Sequence, residues 1–283
     1  MQQIKEIPAL KSAVADWHRQ DERIALVPTM GNLHAGHMAL VKRAQQLADH
    51  VVVSIFVNPM QFVKGEDFHT YPRTPQQDLL MLSEGGVDLA FIPKATDLYE
   101  GDLDQTTRVQ VPVLDGILCG EFRPGHFTGV ATIVTKLFNL TQPDLAVFGD
   151  KDYQQLLVIR RLVADLCIPV DIVAVPTVRD VDGLALSSRN NYLTRAERKR
   201  APILYKTLKE LAEKLKKASA DITALEGEAV ATLKQSGFRP DYVSVRRADD
   251  LMVPTAGNDR LVVLAAAWLG RPRLIDHIEV SRR

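Results

Sequence analysis

The segment IALVPTMGNLHAGH, residues 24–37, contains the pattern that decides the fold. Its apolar run over 24–28 predicts a strand buried on both faces, and residues 29–32 turn the chain into a helix that begins near Gly36. In open α/β sheets ligands bind outside the carboxyl ends of the strands, where a helix N-terminus offers free N–H groups and a positive dipole. The segment therefore predicts a phosphate-binding turn, with His34 and His37 pointing the same way from the first helical turn.

Other interpretations of this turn stay open on the residues alone. Gly31 and Gly36 have the spacing of a P-loop, but His37 and Met38 stand where that loop needs Lys and a hydroxyl, which argues against it. The pair His34 and His37 could ligate zinc, although no third ligand stands nearby. The same two histidines could also be ordinary helix caps that are satisfied by backbone groups.

Outward from this segment, β-branched runs alternate with helical patterns, which is typical of a parallel sheet wrapped by helices. The expected strands lie at 24–28, 51–57, 88–92, 144–148 and 170–175, and the expected helices at 36–48, 74–84 and 151–166. After Pro176, lysine-rich helices at 194–217 and 221–235 precede strands near 241–246, 261–269 and 274–280. We expect an α/β fold: a Rossmann-like, doubly wound parallel sheet over 1–176 with a second, smaller α+β domain over 177–283.

Composition argues against several classes of protein. The 283 residues include 35 Lys plus Arg and 35 Asp plus Glu, so no excess charge is present to attract DNA or RNA. Cys119 and Cys167 are isolated, and both are expected to be inert packing residues, Cys167 within an apolar helical stretch. We recognise no secretory leader, and no apolar run approaches the roughly 20 residues that a membrane-spanning helix needs. We therefore expect a cytoplasmic enzyme or binding protein.

Two further clusters carry groups that suit a nucleotide. In FGDKDYQQ, residues 148–155, Lys151 would supply charge for phosphate oxygens, and Asp152 would position a ribose or a magnesium-bound water. In LALSSRN, residues 184–190, two hydroxyls and a guanidinium lie on a predicted flexible loop that could close over a nucleotide. The structural alternatives are a capped helix for the first and a common polar loop for the second.

A third cluster, NPMQF at residues 58–62, follows a predicted strand. It places the amides of Asn58 and Gln61 among apolar neighbours. Such a mixture suits a small hydroxy acid better than a phosphate. The alternative is a turn whose amides bond to the backbone.

Taken together, these segments resemble the pantoate:beta-alanine ligase (pantothenate synthetase) family, within the nucleotidyl-transferring superfamily marked by a His-x-Gly-His turn. The resemblance covers essentially the full chain. It is carried in order by VPTMG (27–31), HAGH (34–37), FVNPMQF (56–62), YPRT (71–74), RPGHF (123–127), FGDKD (148–152) and LSSRN (186–190). Seven motifs in this order are far more specific than any one of them.

The resemblance implies a two-step reaction. Pantoate attacks the α-phosphorus of ATP to give pantoyl adenylate and pyrophosphate, and the amine of beta-alanine then displaces AMP to form pantothenate, a coenzyme A precursor. Because the substrates supply both nucleophiles, such chemistry needs positioning and charge stabilisation rather than a Ser-His-Asp or Cys-His arrangement. The first domain would then be the catalytic domain that binds ATP and pantoate, and the second would be a lid.

The resemblance also implies the site residues. The catalytic residues would be His34, His37, Lys151 and Arg189. ATP would be bound by Met30, Gly31, Asn32, Leu33, His34, Ala35, Gly36, His37, Gly149, Asp150, Lys151, Asp152, Val178, Leu186, Ser187, Ser188 and Arg189. Pantoate and beta-alanine would be bound by Asn58, Gln61 and Gln155. Mg²⁺ would bridge the phosphates and reach Asp78 through water, and the enzyme is expected to be a homodimer without nucleic-acid or membrane partners.

Two alternative functions stay open. Another enzyme of the superfamily would leave the adenylyl group on a phosphate, but the amides at 58–62 and Gln155 suit a neutral hydroxy acid instead. A non-catalytic nucleotide-binding module would keep the pocket without turnover, but binding alone does not require so many cationic or protonatable groups.

Overall fold

The structure, a computed structural model, describes residues 1–217 and 221–282. By its contacts the chain divides into two compact units. Unit 1 comprises Met1–Asp150 and Val158–Pro176, and unit 2 comprises Lys151–Leu157 and Thr177–Arg283. The predicted domains differ from these units at residues 151–157, and their division into a catalytic domain and a lid stays a prediction.

Unit 1 is built on a six-stranded sheet in which every strand pairing is parallel. The strands are β1 Gln2–Ile4, β2 Ile24–Thr29, β3 His50–Ile55, β4 Leu89–Phe91, β5 Leu145–Gly149 and β6 Asp171–Val175, in the order β1-β4-β3-β2-β5-β6. The helices of this region are α1 Ile7–Arg19, α2 Ala35–Gln45, α3 Pro75–Glu84, α4 Ala95–Leu98, α5 Cys119–Phe122, α6 His126–Thr141 and α7 Tyr153–Asp165, of which α7 belongs to unit 1 only from Val158 onward. The predicted doubly wound α/β fold is confirmed, and β1, α1, α4, α5 and α6 are additions to the predicted elements.

Unit 2 contains an antiparallel sheet in the order β7-β8-β9. Its strands are β7 Arg239–Arg247, β8 Arg260–Trp268 and β9 Arg273–Ser281, and its helices are α8 Arg195–Arg200, α9 Ile203–Leu215 and α10 Ile222–Gln235. The smaller α+β part of the fold is therefore confirmed. The core forms where apolar side chains of α9 and α10 pack with those of β7, β8 and β9.

Two local predictions are wrong. The single helix predicted over 194–217 is two helices, α8 and α9, and the break falls at Pro202, which lacks an N–H and crowds the preceding turn. Cys167 is exposed and has a φ of +50° just after α7 ends, so it is not a packing residue inside a helix. Over the described residues, we find no helix that is both long and apolar enough to cross a membrane.

Candidate active site

The predicted phosphate turn lies at the point of the sheet where the strand order reverses. Strand β2 pairs with β3 on one side and with β5 on the other, so the chain winds outward in both directions from this pair. The carboxyl ends of β2 and β5 are therefore neighbours. Open parallel sheets bind ligands at such a reversal. The turn after β2 and the Gly149-Asp150 segment that ends β5 are both placed at this edge.

Asp78 on α3 fixes the conformation of the turn. Its carboxylate accepts hydrogen bonds from the backbone N–H of Asn32 at 2.9 Å, the backbone N–H of Leu33 at 2.8 Å and the Thr74 hydroxyl at 3.0 Å. The residue is only 2% exposed. Gly31 has a φ of +80°, and a Cβ there would lie 3.0 Å from the same carboxylate. The geometry thus gives Asp78 the role of an anchor for the turn.

His34 and His37 cap α2 through the same ring atom. The Nδ1 of His34 accepts from the backbone N–H of Gly36 at 3.1 Å, and the Nδ1 of His37 accepts from the backbone N–H of His34 at 3.2 Å. The ring centroids are 4.1 Å apart. The capping interpretation is therefore confirmed. Because both Nδ1 atoms are acceptors, the neutral rings carry their proton on Nε2, which makes each Nε2–H a donor of fixed direction.

No metal cage is formed by the described part of the chain. Among those residues, no group of three or more His, Cys, Asp or Glu side chains is arranged to hold a metal ion. Asp78, the predicted outer ligand of Mg²⁺, already accepts three hydrogen bonds within the protein. These residues therefore do not fit an ion held by the protein itself.

The amides of Asn58 and Gln61 form a pair whose orientation is fixed by buried neighbours. The Oδ1 of Asn58 accepts from the Tyr99 hydroxyl at 2.7 Å, and its Nδ2 donates to Gln61 Oε1 at 3.1 Å. Burial raises the pKa of the Tyr99 phenol above its ordinary value, so the hydroxyl stays protonated and donates. Because Oε1 of Gln61 is the acceptor, Nε2 points the other way, where it donates to Met30 Sδ at 3.1 Å.

Asn58 makes its hydrogen bonds within the protein. Besides Gln61 and Tyr99, it bonds the carbonyl of Gly129 at 3.0 Å and the backbone N–H of Met60 at 3.3 Å. These four contacts use both N–H bonds and both lone pairs of the amide. Asn58 therefore orients Gln61, and its geometry does not support the predicted direct contact with substrate.

Gly129, which the sequence analysis did not single out, sets the distance between α6 and the short 3₁₀ helix Pro59–Gln61. A Cβ at Gly129 would lie 2.4 Å from the Met60 carbonyl oxygen and 2.6 Å from the Gln61 backbone nitrogen. Only glycine allows two backbones to approach so closely. This spacing determines where the Gln61 amide stands.

The Lys151 segment opens α7. A 3₁₀ turn, Asp150–Asp152, precedes the helix, and Lys151 Nζ lies 3.6 Å from Asp152 Oδ2. The Tyr153 hydroxyl donates to the Ala248 carbonyl at 2.8 Å, which ties the start of α7 to the end of β7. Gln155 is half-buried in the first turn of this helix. Lys151, Asp152 and Gln155 thus belong to unit 2 by their contacts.

The segment before the Ser-Ser-Arg motif forms a hairpin, and the predicted flexibility of residues 184–190 stays a prediction. The backbone N–H of Leu186 donates to the Val178 carbonyl at 2.9 Å. Arg179 holds the hairpin to β9 through two hydrogen bonds to Asp276, at 2.6 and 2.8 Å. The Ser187 hydroxyl accepts from the Arg189 N–H at 3.3 Å and caps the 3₁₀ helix Ser188–Tyr192. The serines and Arg189 therefore stand on an ordered support within unit 2.

Within each unit, the structure shows where the predicted residues stand. Unit 1 holds Met30, Gly31, Asn32, Leu33, His34, Ala35, Gly36, His37, Asn58, Gln61, Asp78, Gly149 and Asp150, while unit 2 holds Lys151, Asp152, Gln155, Val178, Leu186, Ser187, Ser188 and Arg189. The Met30–Gln61 contact joins the phosphate turn to the amide pair. Gly129 and Tyr99 were missed because nothing in the local sequence marks a contact with residues so distant along the chain.

Comparison with known proteins gives a single answer over the whole chain. A family model described as pantoate-beta-alanine ligase matches residues 2–279. The pantothenate synthetase of Nitrosococcus oceani is 54% identical over 281 residues, which cover 99% of this chain and 98% of the relative, and that of Alkalilimnicola ehrlichii is 53% identical with the same coverage.

Solved structures agree with these relatives. The pantothenate synthetase of Thermus thermophilus superposes with a TM-score of 0.92 at 43% identity, covering 99% of this chain and all of that one. The pantoate-beta-alanine ligase of Francisella tularensis, described as complexed with beta-gamma ATP and beta-alanine, gives a TM-score of 0.82 at 35% identity, covering 98% and 97%.

Proposed function

Given that the chain belongs to the pantoate-beta-alanine ligase family, we propose that its turn at residues 30–37 binds the phosphates of ATP and that Gln61 binds pantoate beside it. The chain is a ligase that condenses pantoate with beta-alanine and uses ATP. It is neither a phosphate adenylyltransferase nor a non-catalytic module.

In the proposed sequence of steps, a carboxylate oxygen of pantoate attacks the α-phosphorus and pyrophosphate leaves. The amine of beta-alanine then attacks the acyl carbon of pantoyl adenylate, loses a proton and expels AMP. Because no enzyme nucleophile takes part, the rate depends on the alignment of bound substrates and on donors aimed at the developing charge.

The fixed tautomers of His34 and His37 are the observation that carries this proposal. With both Nδ1 atoms engaged by backbone N–H groups, the rings present Nε2–H donors from the N-terminus of α2. During adenylyl transfer, negative charge grows on the oxygens around the α-phosphorus. Preorganised donors and the positive end of a helix dipole stabilise that charge without having to reorganise.

The remaining roles are assigned on the family resemblance. Lys151, Ser187, Ser188 and Arg189 hold the other phosphates. The adenosine is framed by Gly149, Asp150, Asp152, Leu186 and the backbone of Val178. Gln155 binds pantoate together with Gln61, which also lies near beta-alanine. Asn58 acts through Gln61, since its own amide is used within the protein.

Magnesium is proposed to enter as part of the ATP complex. Since Asp78 anchors the turn and the described residues form no metal cage, its ligands would be phosphate oxygens and water. There it would neutralise phosphate charge, while the side chains named above orient the substrates.

The direct test separates the capping role of a histidine from its catalytic role. In His34→Asn the side-chain oxygen can still cap α2, because Asn is among the best N-cap residues, but the Nε2–H donor is lost. We expect an unchanged unfolding midpoint and an adenylation rate lowered about 100-fold, the usual scale for removing one transition-state donor. His37→Ala should lower the rate by at least a similar factor.

The matching assay is pantoate-dependent exchange between ATP and pyrophosphate, together with AMP release that also needs beta-alanine. Wild-type single-turnover rates in His34→Asn and His37→Ala would overturn the assignment of these residues. Exchange without pantoate would overturn the proposed first step.

We also propose that the enzyme is a homodimer that works in the cytoplasm, as the family resemblance implies. Sedimentation equilibrium at micromolar concentration should then give twice the mass of the chain, and the mass of one chain would rule the dimer out. Fractionation of the source cells, followed by the exchange assay, tests the location.

A further inference from the structure

The backbone of Gln61 ends a chain of partly to fully buried hydrogen bonds that begins at Glu66. Arg123 pairs with the Glu66 carboxylate through Nε and through Nη2, the latter at 2.8 Å, and both side chains are only 14% exposed. Its Nη1 lies 2.9 Å from His126 Nε2. On the other side of that ring, Nδ1 lies 2.7 Å from the Gln61 carbonyl oxygen. We call Glu66, Arg123 and His126 the Arg123 network.

The direction of every bond in this network is fixed. A guanidinium can only donate, so Nε2 of His126 is the acceptor. The proton of the neutral ring is therefore on Nδ1, which donates to the Gln61 carbonyl. This tautomer is the opposite of that in His34 and His37, where Nδ1 accepts.

We propose that the Arg123 network is a positioning device for pantoate binding, which it serves by holding the peptide of Gln61 in place. The inference rests on the proposed function, in which Gln61 binds pantoate. The side-chain oxygen of Gln61 is held by Asn58 and one Nε2–H by Met30. The second Nε2–H has no acceptor among the described residues, so it is directed at an oxygen of the acid.

The Gln61 amide keeps a constant position toward pantoate only if the Gln61 backbone is held in place as well. His126 is the first residue of α6, the helix whose Gly129 packs against the same 3₁₀ turn. The Gln61 backbone is therefore held at its carbonyl by His126, and α6 packs closely against its nitrogen at Gly129. The bidentate pair with Glu66 in turn restricts the Arg123 guanidinium to one plane.

Variants of His126 test the direction of the bonds. Asn can place an N–H near the position of Nδ1, whereas Gln places its amide near the position of Nε2, facing the guanidinium of Arg123. We expect His126→Asn to keep the dissociation constant of pantoate within about threefold of wild type, and His126→Gln to raise it about tenfold, the scale of one lost hydrogen bond. The dissociation constant of ATP should change less than twofold in both.

Arg123→Lys tests the network without touching the ring. Lysine cannot make the bidentate pair and the third bond together, so we expect a similar rise of about tenfold for pantoate alone. The matched control is Arg260→Lys, since Arg260 pairs with Asp249 at 2.8 Å on the exposed surface of unit 2. It should leave both dissociation constants unchanged.

Calorimetry measures both constants, and ¹⁵N NMR of the histidine rings reports the tautomers. The proposal requires a protonated Nδ1 at His126 in the wild type. Parallel weakening of pantoate and ATP, equal effects of His126→Asn and His126→Gln, or a protonated Nε2 at His126 would each overturn it. Gln61→Ala tests the underlying function separately: unchanged pantoate affinity there would show that the acid site is misplaced, and the inference would fall with it.

Discussion

A methyl group added at Gly129 should impair pantoate binding, although it adds helix propensity to α6. The Cβ of alanine would lie 2.4 Å from the Met60 carbonyl oxygen, 2.5 Å from its carbon and 2.6 Å from the Gln61 nitrogen, where ordinary contacts begin at 3.4 Å. The difference between 3.4 and 2.4 Å is 1.0 Å. All three neighbours are backbone atoms, so no side chain can rotate away and the 3₁₀ turn itself must move.

The size of the effect follows from that displacement. A misplacement of about 1 Å at a reacting group lowers the rate about 100-fold. Overpacking lowers the free energy of unfolding by about 1–3 kcal/mol, while replacing glycine by alanine inside a helix returns about 1 kcal/mol. The net loss is about 0–2 kcal/mol, so the variant should fold while its Gln61 is displaced.

Calorimetry with pantoate and with ATP, followed by single-turnover adenylation, measures these effects. We expect a weaker pantoate complex, a rate about 100-fold lower and nearly unchanged ATP binding. The control is Gly227→Ala in α10, where an added Cβ would meet no atom within 4 Å. That variant should unfold at the same or a higher temperature with wild-type activity. Wild-type pantoate affinity in Gly129→Ala, or an equal loss of ATP affinity, would refute the reasoning.

Three further predictions concern the supports of the site. In Asp78→Asn, the amide nitrogen would face one of the two backbone N–H groups that now donate to the carboxylate. The free energy of unfolding should therefore fall by about 1.5–3 kcal/mol, and the affinity for ATP should fall as well. Unchanged ATP binding by calorimetry would contradict the anchor role. In Tyr99→Phe, the Oδ1 of Asn58 loses a donor, so the KM for pantoate should rise several-fold at constant KM for ATP, and an unchanged pantoate KM in steady-state assays argues against the amide orientation. The hydrogen bond from Arg198 lowers the pKa of Asp182 below its ordinary value of 3.8, so this pair stabilises the fold above that pH and the contribution disappears as the pH falls through the lowered pKa. Between about pH 5 and 3, the thermal unfolding midpoint should therefore fall less steeply with pH in Asp182→Asn than in the wild type. Equal slopes of midpoint against pH would exclude this ion pair as a cause of the acid destabilisation.

The parallel sheet could be predicted from the sequence because strands buried on both faces are nearly continuous apolar runs. The same reason explains what was missed. Strand β1 has only three residues, which are exposed or half-buried, so it carries no such run. Helix α6 is buried over most of its length and is apolar on most of its surface, so it lacks the polar face of the helices that were predicted.

The site was predicted only as far as its motifs are local. The histidine turn could be placed because a strand, a glycine turn and a helix start follow one another in 14 residues. The partners of Asp78 could not be predicted, because two of them are backbone N–H groups more than 40 residues away. Nearly every residue has such a group, so the sequence does not show which one will donate. The family resemblance suggested a contact between Asp78 and Mg²⁺ through water, which stays a prediction, whereas the anchoring role of Asp78 became visible only in the structure.

In this ligase the substrates bring both nucleophiles, so the enzyme's own contribution lies in the direction of its donors. In His34 and His37, backbone N–H groups donate to Nδ1, so the proton of each neutral ring is on Nε2. In His126, the Arg123 guanidinium donates to Nε2, so the proton is on Nδ1. A ring held in this way loses no orientation when charge develops on the phosphate, which is the condition for strong electrostatic stabilisation. Replacing Arg123, whose guanidinium fixes the His126 ring, should therefore weaken pantoate binding even where every side chain that touches substrate is kept.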